Sequence, residues 1–387
     1  MRSLLTPVAA FCLTIALAPA RAEDTVKIGW LSSLTGPLSS AAIAENQGVI
    51  YAVGEINKAG GILGHKVELL TRDTAGDPVK AVNMAQQLVF SDKAQFVIGP
   101  VNSGESLATV PALNKAGILN IVIGSLDELT NPTRYPLAFR TINTNTQWIN
   151  TANQYAVDVL KRRRVAIIGD TSGYGTASAK TAEVLLKQIG ITPVYSVLVD
   201  ANKTDLTDEI TKAKAAGADV IMPWSAATGL CARIINTRGD MGWDVPIVGH
   251  PAVMALPIKA LLNKPDYWKD VYAAGYTSTT FRDGKLPAQT QALVDAIKPT
   301  LGGRIDFTFW WVALGYDSMK VIAYAAEQAK SLDAEKIKAV LEHTTNYEGI
   351  YGTYTWSPTQ HNGFPDSGMI MDAANTFQDG SYQPAPR

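Results

Sequence analysis

Residues Gln95–Ser125, "QFVIGPVNSGESLATVPALNKAGILNIVIGS", decide how the chain folds. A short apolar run, "QFVIGP", gives way to the small polar residues of "NSGES". A helical pattern follows through "ESLATVPALNKAG", and a second apolar run, "LNIVIGS", closes the unit. Continuous apolar runs flanking a helical segment read as parallel strands buried on both faces. The same alternation extends N-terminally through "VKIGWLSS" (Val26–Ser33), a helix near 41–59, "KVELLTRD" (Lys66–Asp73) and "PVKAVNMAQQLVFS". Asp77-Pro78 marks a helix start, with Asp as N-cap and Pro in the first turn.

After "LAFRT" (Leu137–Thr141) the series begins again. A helix near 147–162 leads to "RVAIIGD", then a helix over about 174–189, "TPVYSVLVD", a helix near 206–216, "DVIMPWS", "GLCARIIN" and "VPIVGH". Helical patterns over 287–298 and 309–330 and in "DAEKIKAVLEHT" follow. "YEGIYGTYTWSPTQHNG" and "GMIMDAANTFQDGSYQP" alternate as strands between Gly, Asn and Pro turns. The fold class is α/β, with two doubly wound lobes. Several short connections between the lobes would make their junction a hinge.

Composition narrows the function. Met1-Arg2, the apolar run Leu4–Leu17 and Ala20-Arg21-Ala22 describe a secretory signal peptide, residues 1–22, cleaved after Ala22. That run is too short to span a membrane, which needs ~20 apolar residues. Cys12, preceded by Ala10-Phe11, is poorly placed for lipidation. A soluble exported protein of 365 residues is expected, long for one domain. Without Arg2 and Arg21 it carries 32 basic and 35 acidic residues, net −3. The basic run Lys161–Arg164 reads as a solvated helix end rather than a nucleic-acid surface. Cys231, the one cysteine after processing, has no disulfide partner and sits on an apolar helical face. Four widely spaced histidines give no metal constellation, and no cofactor is expected.

In doubly wound sheets, ligands sit at the carboxyl ends of the strands. Ser103 lies at such an end. It lacks the G-x-S-x-G setting of a hydrolase nucleophile, so it reads as a helix N-cap whose neighbouring N–H groups hold an anion. "GDTSGYGTAS" (Gly169–Ser178) lacks both the P-loop Lys-Ser/Thr and G-x-G-x-x-G, although Tyr174 there can face a ligand. Asp73 and Asp77 in "DTAGDP" read as capping and bracing residues. Trp224 at a strand end can stack on a planar ligand. Trp310 and Trp311 read as core.

Together, "VKIGWLSSLTGPLSS", "GEINKAGGILGHKVELLTRDTAGDP", "VIGPVNSGES", "AIIGDTSGYG" and "GIYGTYTWSP" resemble the periplasmic solute-binding proteins of the leucine/isoleucine/valine-binding type, the receptors of ABC importers. The resemblance covers nearly the whole mature chain. It implies a type I periplasmic binding fold, with two Rossmann-like lobes joined by three crossovers. One lobe is 24–141 plus 275–350; the other is 142–274 plus 351–387. It places the carboxylate-gripping serine on Ser103, the next strand end on Gly124 and Ser125, and the second lobe's tyrosine on Tyr174. The tyrosine expected after "DVIMP" is missing; Ser225 and Ala226 stand there, next to Trp224. The disulfide some relatives carry is absent, with Gly76 and Asn102 at its positions. At "VGHPAV" the resemblance implies a glutamate for the ligand's ammonium, and this chain has His250, Pro251 and Ala252. Leu126 replaces the threonine that helps hold the ammonium, and nearby Asp127 reads as a cap for the following turn.

A buried ammonium without an anionic partner costs several kcal/mol. The ligand expected is therefore a small carboxylate without an α-ammonium, an aromatic or other organic acid. Ala41 and Ala42 stand in the loop where the resemblance implies a bulky aromatic in amino-acid binders, which leaves room for a ring that Tyr174, Trp224 and His250 would flank. The chain is expected to be a monomeric periplasmic receptor, not an enzyme, with permease subunits in the inner membrane as partners. An amino-acid receptor is the alternative. An exported enzyme using Ser103 or His250 lacks a spaced triad, and a sensor ectodomain lacks an anchor.

Overall fold

The structure, a computed structural model, describes residues 25–387; the signal-peptide reading of residues 1–22 lies outside them. The chain runs β1 (Val26–Ser32), α1 (Ser39–Lys58), β2 (Val67–Asp73), α2 (Pro78–Gln86), β3 (Phe96–Ile98), α3 (Ser103–Lys115), β4 (Leu119–Val122) and β5 (Ala138–Arg140). The second series is α4 (Asn145–Gln154), β6 (Val165–Asp170), α5 (Gly173–Gln188), β7 (Tyr195–Val199), α6 (Thr207–Ala215), β8 (Val220–Trp224), α7 (Thr228–Asp240), β9 (Ile247–Gly249), α8 (Pro257–Leu261) and β10 (Val271–Tyr276). It ends with α9 (Ala288–Ile297), α10 (Phe309–Ala329), α11 (Ala334–Leu341), β11 (Tyr347–Glu348), β12 (Thr353–Tyr354), β13 (Met369–Gln378) and β14 (Ser381–Pro384).

Among the described residues, the first sheet is parallel in the order β2-β1-β3-β4-β5. The second runs β7-β6-β8-β9-β10, also parallel, and continues into antiparallel β13 and β14. Strands β3, β4 and β6 are buried along their whole length, as sheets covered on both faces require. The strand order reverses beside β1 in one sheet and beside β6 in the other, which opens a crevice at each.

Helix starts follow their side chains. Asp77 accepts from the N–H groups of Val79 and Lys80, with Pro78 in the first turn, as read from the sequence. Thr144 and Gln147 form a reciprocal capping box on α4. That helix widens into a π turn over Tyr155–Val159, and Lys161–Arg164 follow as an exposed loop.

Among the described residues, three segments cross between the sheets: Thr141–Thr144 after β5, the stretch beginning at Thr277 after β10, and the return from the β11–β12 hairpin to β13. Asn143, in the first crossing, ties the end of β10 to the turn of the β11–β12 hairpin. Its Oδ1 accepts from the Tyr276 hydroxyl at 2.7 Å and the Tyr351 hydroxyl at 2.9 Å. The hairpin straddles position 350, and Asn362 bridges Arg140 of the first sheet. We propose that the return crossing falls at 364–368, which assigns 351–363 to the first lobe.

Candidate ligand-binding site

Strand β3 ends at Ile98, and the chain turns at Gly99, which has positive φ, before reaching Asn102, whose side chain accepts from Gly104 N at 2.6 Å. Asn102 is therefore the cap of α3. Ser103, expected as the cap, is already the first helical residue. Its Oγ turns instead toward the loop after β4, accepting the N–H of Ser125 at 3.0 Å and of Leu126 at 3.4 Å. A hydroxyl has two acceptor positions and one O–H. With both positions filled by backbone donors, the remaining capacity of Ser103 is to donate.

Arg140, the last residue of β5, lies behind this loop and is completely buried. Its Nη1 donates to Ser125 O at 2.8 Å and its Nη2 to Leu126 O. Burial lowers the guanidinium to about 10, opposed by the charges of Asp127 and Glu128, so it stays protonated at neutral pH. Asp127 does not cap the turn that follows it. Its Oδ2 accepts from Thr146 N and Oγ1 and so ties that turn to α4.

The second lobe presents a parallel junction. Ser172 caps α5 by accepting from Gly175 N, and Asp170 Oδ1 accepts from Ser172 N at 2.8 Å. Tyr174 follows, buried, with its hydroxyl donating to Asn145 Oδ1 at 3.3 Å. His250 packs with its ring centroid 5.1 Å from that of Tyr174 and 4.9 Å from that of Trp148, nearly perpendicular to the indole. Its Nδ1 accepts from Ala252 N, and burial drives its pKa down to about 3, so the ring is neutral. Trp148 donates through Nε1 to the Tyr276 hydroxyl at 2.8 Å, which joins this wall to the hinge.

These elements enclose a narrow space of about 50 Å³, which widens to about 560 Å³ when the open solvent at its mouth is counted. The expected residues Ala41, Asn102, Ser103, Ser125, Tyr174 and His250 all line it. Gly124, Trp224 and Ser225 do not. A Cβ on Gly124 would lie 2.6 Å from Ser106 Oγ, so this glycine serves the packing of β4 on α3. Trp224 is fully buried in the core, and the lining passes to Ala226 and Thr228. Ser225 donates to Asp170 Oδ2 and accepts from Ala227 N.

Trp148 escaped the sequence reading, and Trp311, expected in the core, is corrected to the wall because its turn of α10 faces the space. Trp148 on α4 and Trp311 on α10 both line the space, whereas Trp310 is core as expected. Among the described residues, none of those lining the cavity is Asp, Glu, Lys or Arg. Asp73 accepts from Thr35 and Ala75 and braces its loop, away from the lining. Cys231 is buried, and its thiol is pushed well up by burial.

The lobes touch across the mouth. Ser40 Oγ lies 3.1 Å from Thr228 Oγ1, and a Cβ on Gly173 would stand 3.1 Å from Gly104 Cα. The starts of α3 and α5 therefore meet, and only residues without side chains fit that closely. Ser103 Oγ bonds to backbone N–H groups and His250 Nδ1 to Ala252 N, so neither supplies a nucleophile–base pair. No helix among the described residues is long and apolar enough to cross a membrane.

Relatives share this architecture along nearly all their length. The chain is 29% identical over 353 residues to the Leu/Ile/Val-binding protein homolog 3 of Brucella melitensis, covering 90% of this chain and 92% of that protein. The isoleucine complex of a branched-chain amino acid transporter substrate binding protein from Streptococcus pneumoniae superposes with a TM-score of 0.80 at 26% identity, over 93% of this chain and 98% of that one. A Rhodopseudomonas palustris solute binding protein in complex with 4-hydroxybenzoate gives 0.76 at 19% identity, over 94% and 96%. The family model described as periplasmic binding protein matches residues 25–375, and the chain belongs to that family.

Proposed function

We propose that the chain is the periplasmic receptor of an ABC importer and captures a small carboxylate lacking an α-ammonium, an aromatic or other organic acid, between its lobes. It then presents the closed form to inner-membrane permease subunits. The observation that carries this reading is the cavity lining: hydroxyls, an amide, aromatic rings and aliphatic side chains, with no carboxylate. Ser103 offers an O–H donor at the start of α3, where the helix dipole favours an anion. Trp148, Tyr174, Trp311 and neutral His250 supply flat apolar walls. An ammonium in this space would lose its hydration without gaining a counter-charge. A ligand that touches both lobes only when they are closed shifts the hinge equilibrium toward closure.

Branched-chain amino-acid binding is the second reading, favoured by the names of the relatives. The 4-hydroxybenzoate complex speaks for the fold alone, given its distance in sequence. A calorimetric screen of benzoate, hydroxybenzoates, short aliphatic acids and leucine separates the two. The acids are expected to bind and leucine is not; micromolar or tighter leucine binding overturns the proposal.

A further inference from the structure

We infer that Arg140 is a positioning residue that charges the carboxylate end of the cavity from behind, through a single peptide group. Its Nη1 donates to the carbonyl oxygen of Ser125, and the N–H of the same peptide, on Leu126, donates to Ser103 Oγ. The order of donors is therefore guanidinium, peptide, hydroxyl, ligand oxygen. Each donor in such a chain is polarised by the one behind it, and the last O–H becomes more acidic toward an anion. Positive charge reaches the cavity although no charged side chain lines it.

The surroundings of Arg140 point the same way. The side chain is fully buried, yet among the described residues no carboxylate lies within ion-pair distance of it. Its Nε has no hydrogen-bond partner. The nearest acids acting on it, Asp127 and Glu128, are exposed on the surface. A buried cation without an ion pair is costly, and an anion held by Ser103 supplies the missing counter-charge one peptide away. A purely structural Arg140 would tie the 125–126 loop to β5 without regard to what the ligand carries.

The inference rests on the carboxylate reading of the cavity, and paired acids and amides test both. Wild type, Arg140→Gln and Arg140→Lys are titrated by calorimetry with benzoate and benzamide, and with leucine and leucinamide. Glutamine keeps an N–H donor without the charge, and lysine keeps the charge without the fork. In Arg140→Gln the affinity for the acid that wild type binds is expected to fall roughly tenfold or more, and that for its amide to change less than threefold. Arg140→Lys is expected to keep the acid-over-amide preference within threefold of wild type. Equal losses for acid and amide in Arg140→Gln overturn the inference and leave the carboxylate reading standing. If the glutamine variant does not fold, loss of the preference in a folded Arg140→Lys overturns it equally. Failure of wild type to bind any of these acids overturns both.

Discussion

The starts of α3 and α5 are the same device with different surroundings. Each follows a buried parallel strand, each is capped by a polar side chain, and they meet at Gly104 and Gly173. Behind α3 lies a cation, Arg140, and the first residue of the helix, Ser103, accepts the N–H of Ser125. Behind α5 lies a buried acid, Asp170, holding Ser172 and Ser225. Both starts have a buried carboxylate close by, Glu105 in the first turn of α3 and Asp170 before α5, so the Arg140 cation is what sets the first apart. On the proposed function the lobes divide recognition: the first lobe would take the acid end of a ligand, and the second would supply most of the ring walls.

The largest effect expected from that division is on the ring side. Trp148 is buried against the hinge, so Trp148→Ala should lower unfolding free energy by about 3–5 kcal/mol. Urea titration reads this, and a loss below about 1 kcal/mol would mean the wall is not joined to the core. Next comes pH. His250 is held near 3 in the folded protein against an ordinary 6.5, so the unfolded chain binds more protons between those values. Stability from this residue is complete above pH 6.5 and is lost as pH falls toward 3, on the order of 3 kcal/mol by pH 4. Asp317, pushed up to about 6, acts in the opposite sense between 6 and its ordinary 3.8. The difference between wild type and His250→Gln therefore isolates the histidine; parallel pH–stability curves would break the assignment.

On the acid side, Ser103→Ala should weaken a carboxylate ligand by about 1–3 kcal/mol. Unchanged affinity by calorimetry would mean that the grip lies elsewhere. The smallest effect tests the edge of the site. Trp224→Phe should leave ligand affinity within about twofold, because this ring lies outside the lining; a larger change would restore it to the wall.

The sequence carries the fold well, because strands buried on both faces must be continuously apolar and Asp77-Pro78 announces its helix. It also carries the part of the site that topology dictates: Ser103 and Tyr174 sit at strand ends where a doubly wound sheet opens. Pattern does not say which way a strand end turns, and so Ala226 and Thr228 line the cavity where Trp224 and Ser225 are expected. Trp148 and Trp311 sit on helices with apolar residues on more than one side. Only the packing across the crossings decides which side meets the cavity. That β13 joins β10 is likewise a long-range pairing without local trace, as is the covering of Arg140 by the loop at Ser125.

Asn143, holding Tyr276 and Tyr351 at once, has a consequence for affinity. Lobes fastened at three crossings cannot drift apart as free partners would, so a ligand caught on one meets the other at an effective concentration. Each half of the contact can then be weak, with a dissociation constant far above the working concentration, and the assembled site still holds. Release likewise requires only that one half let go.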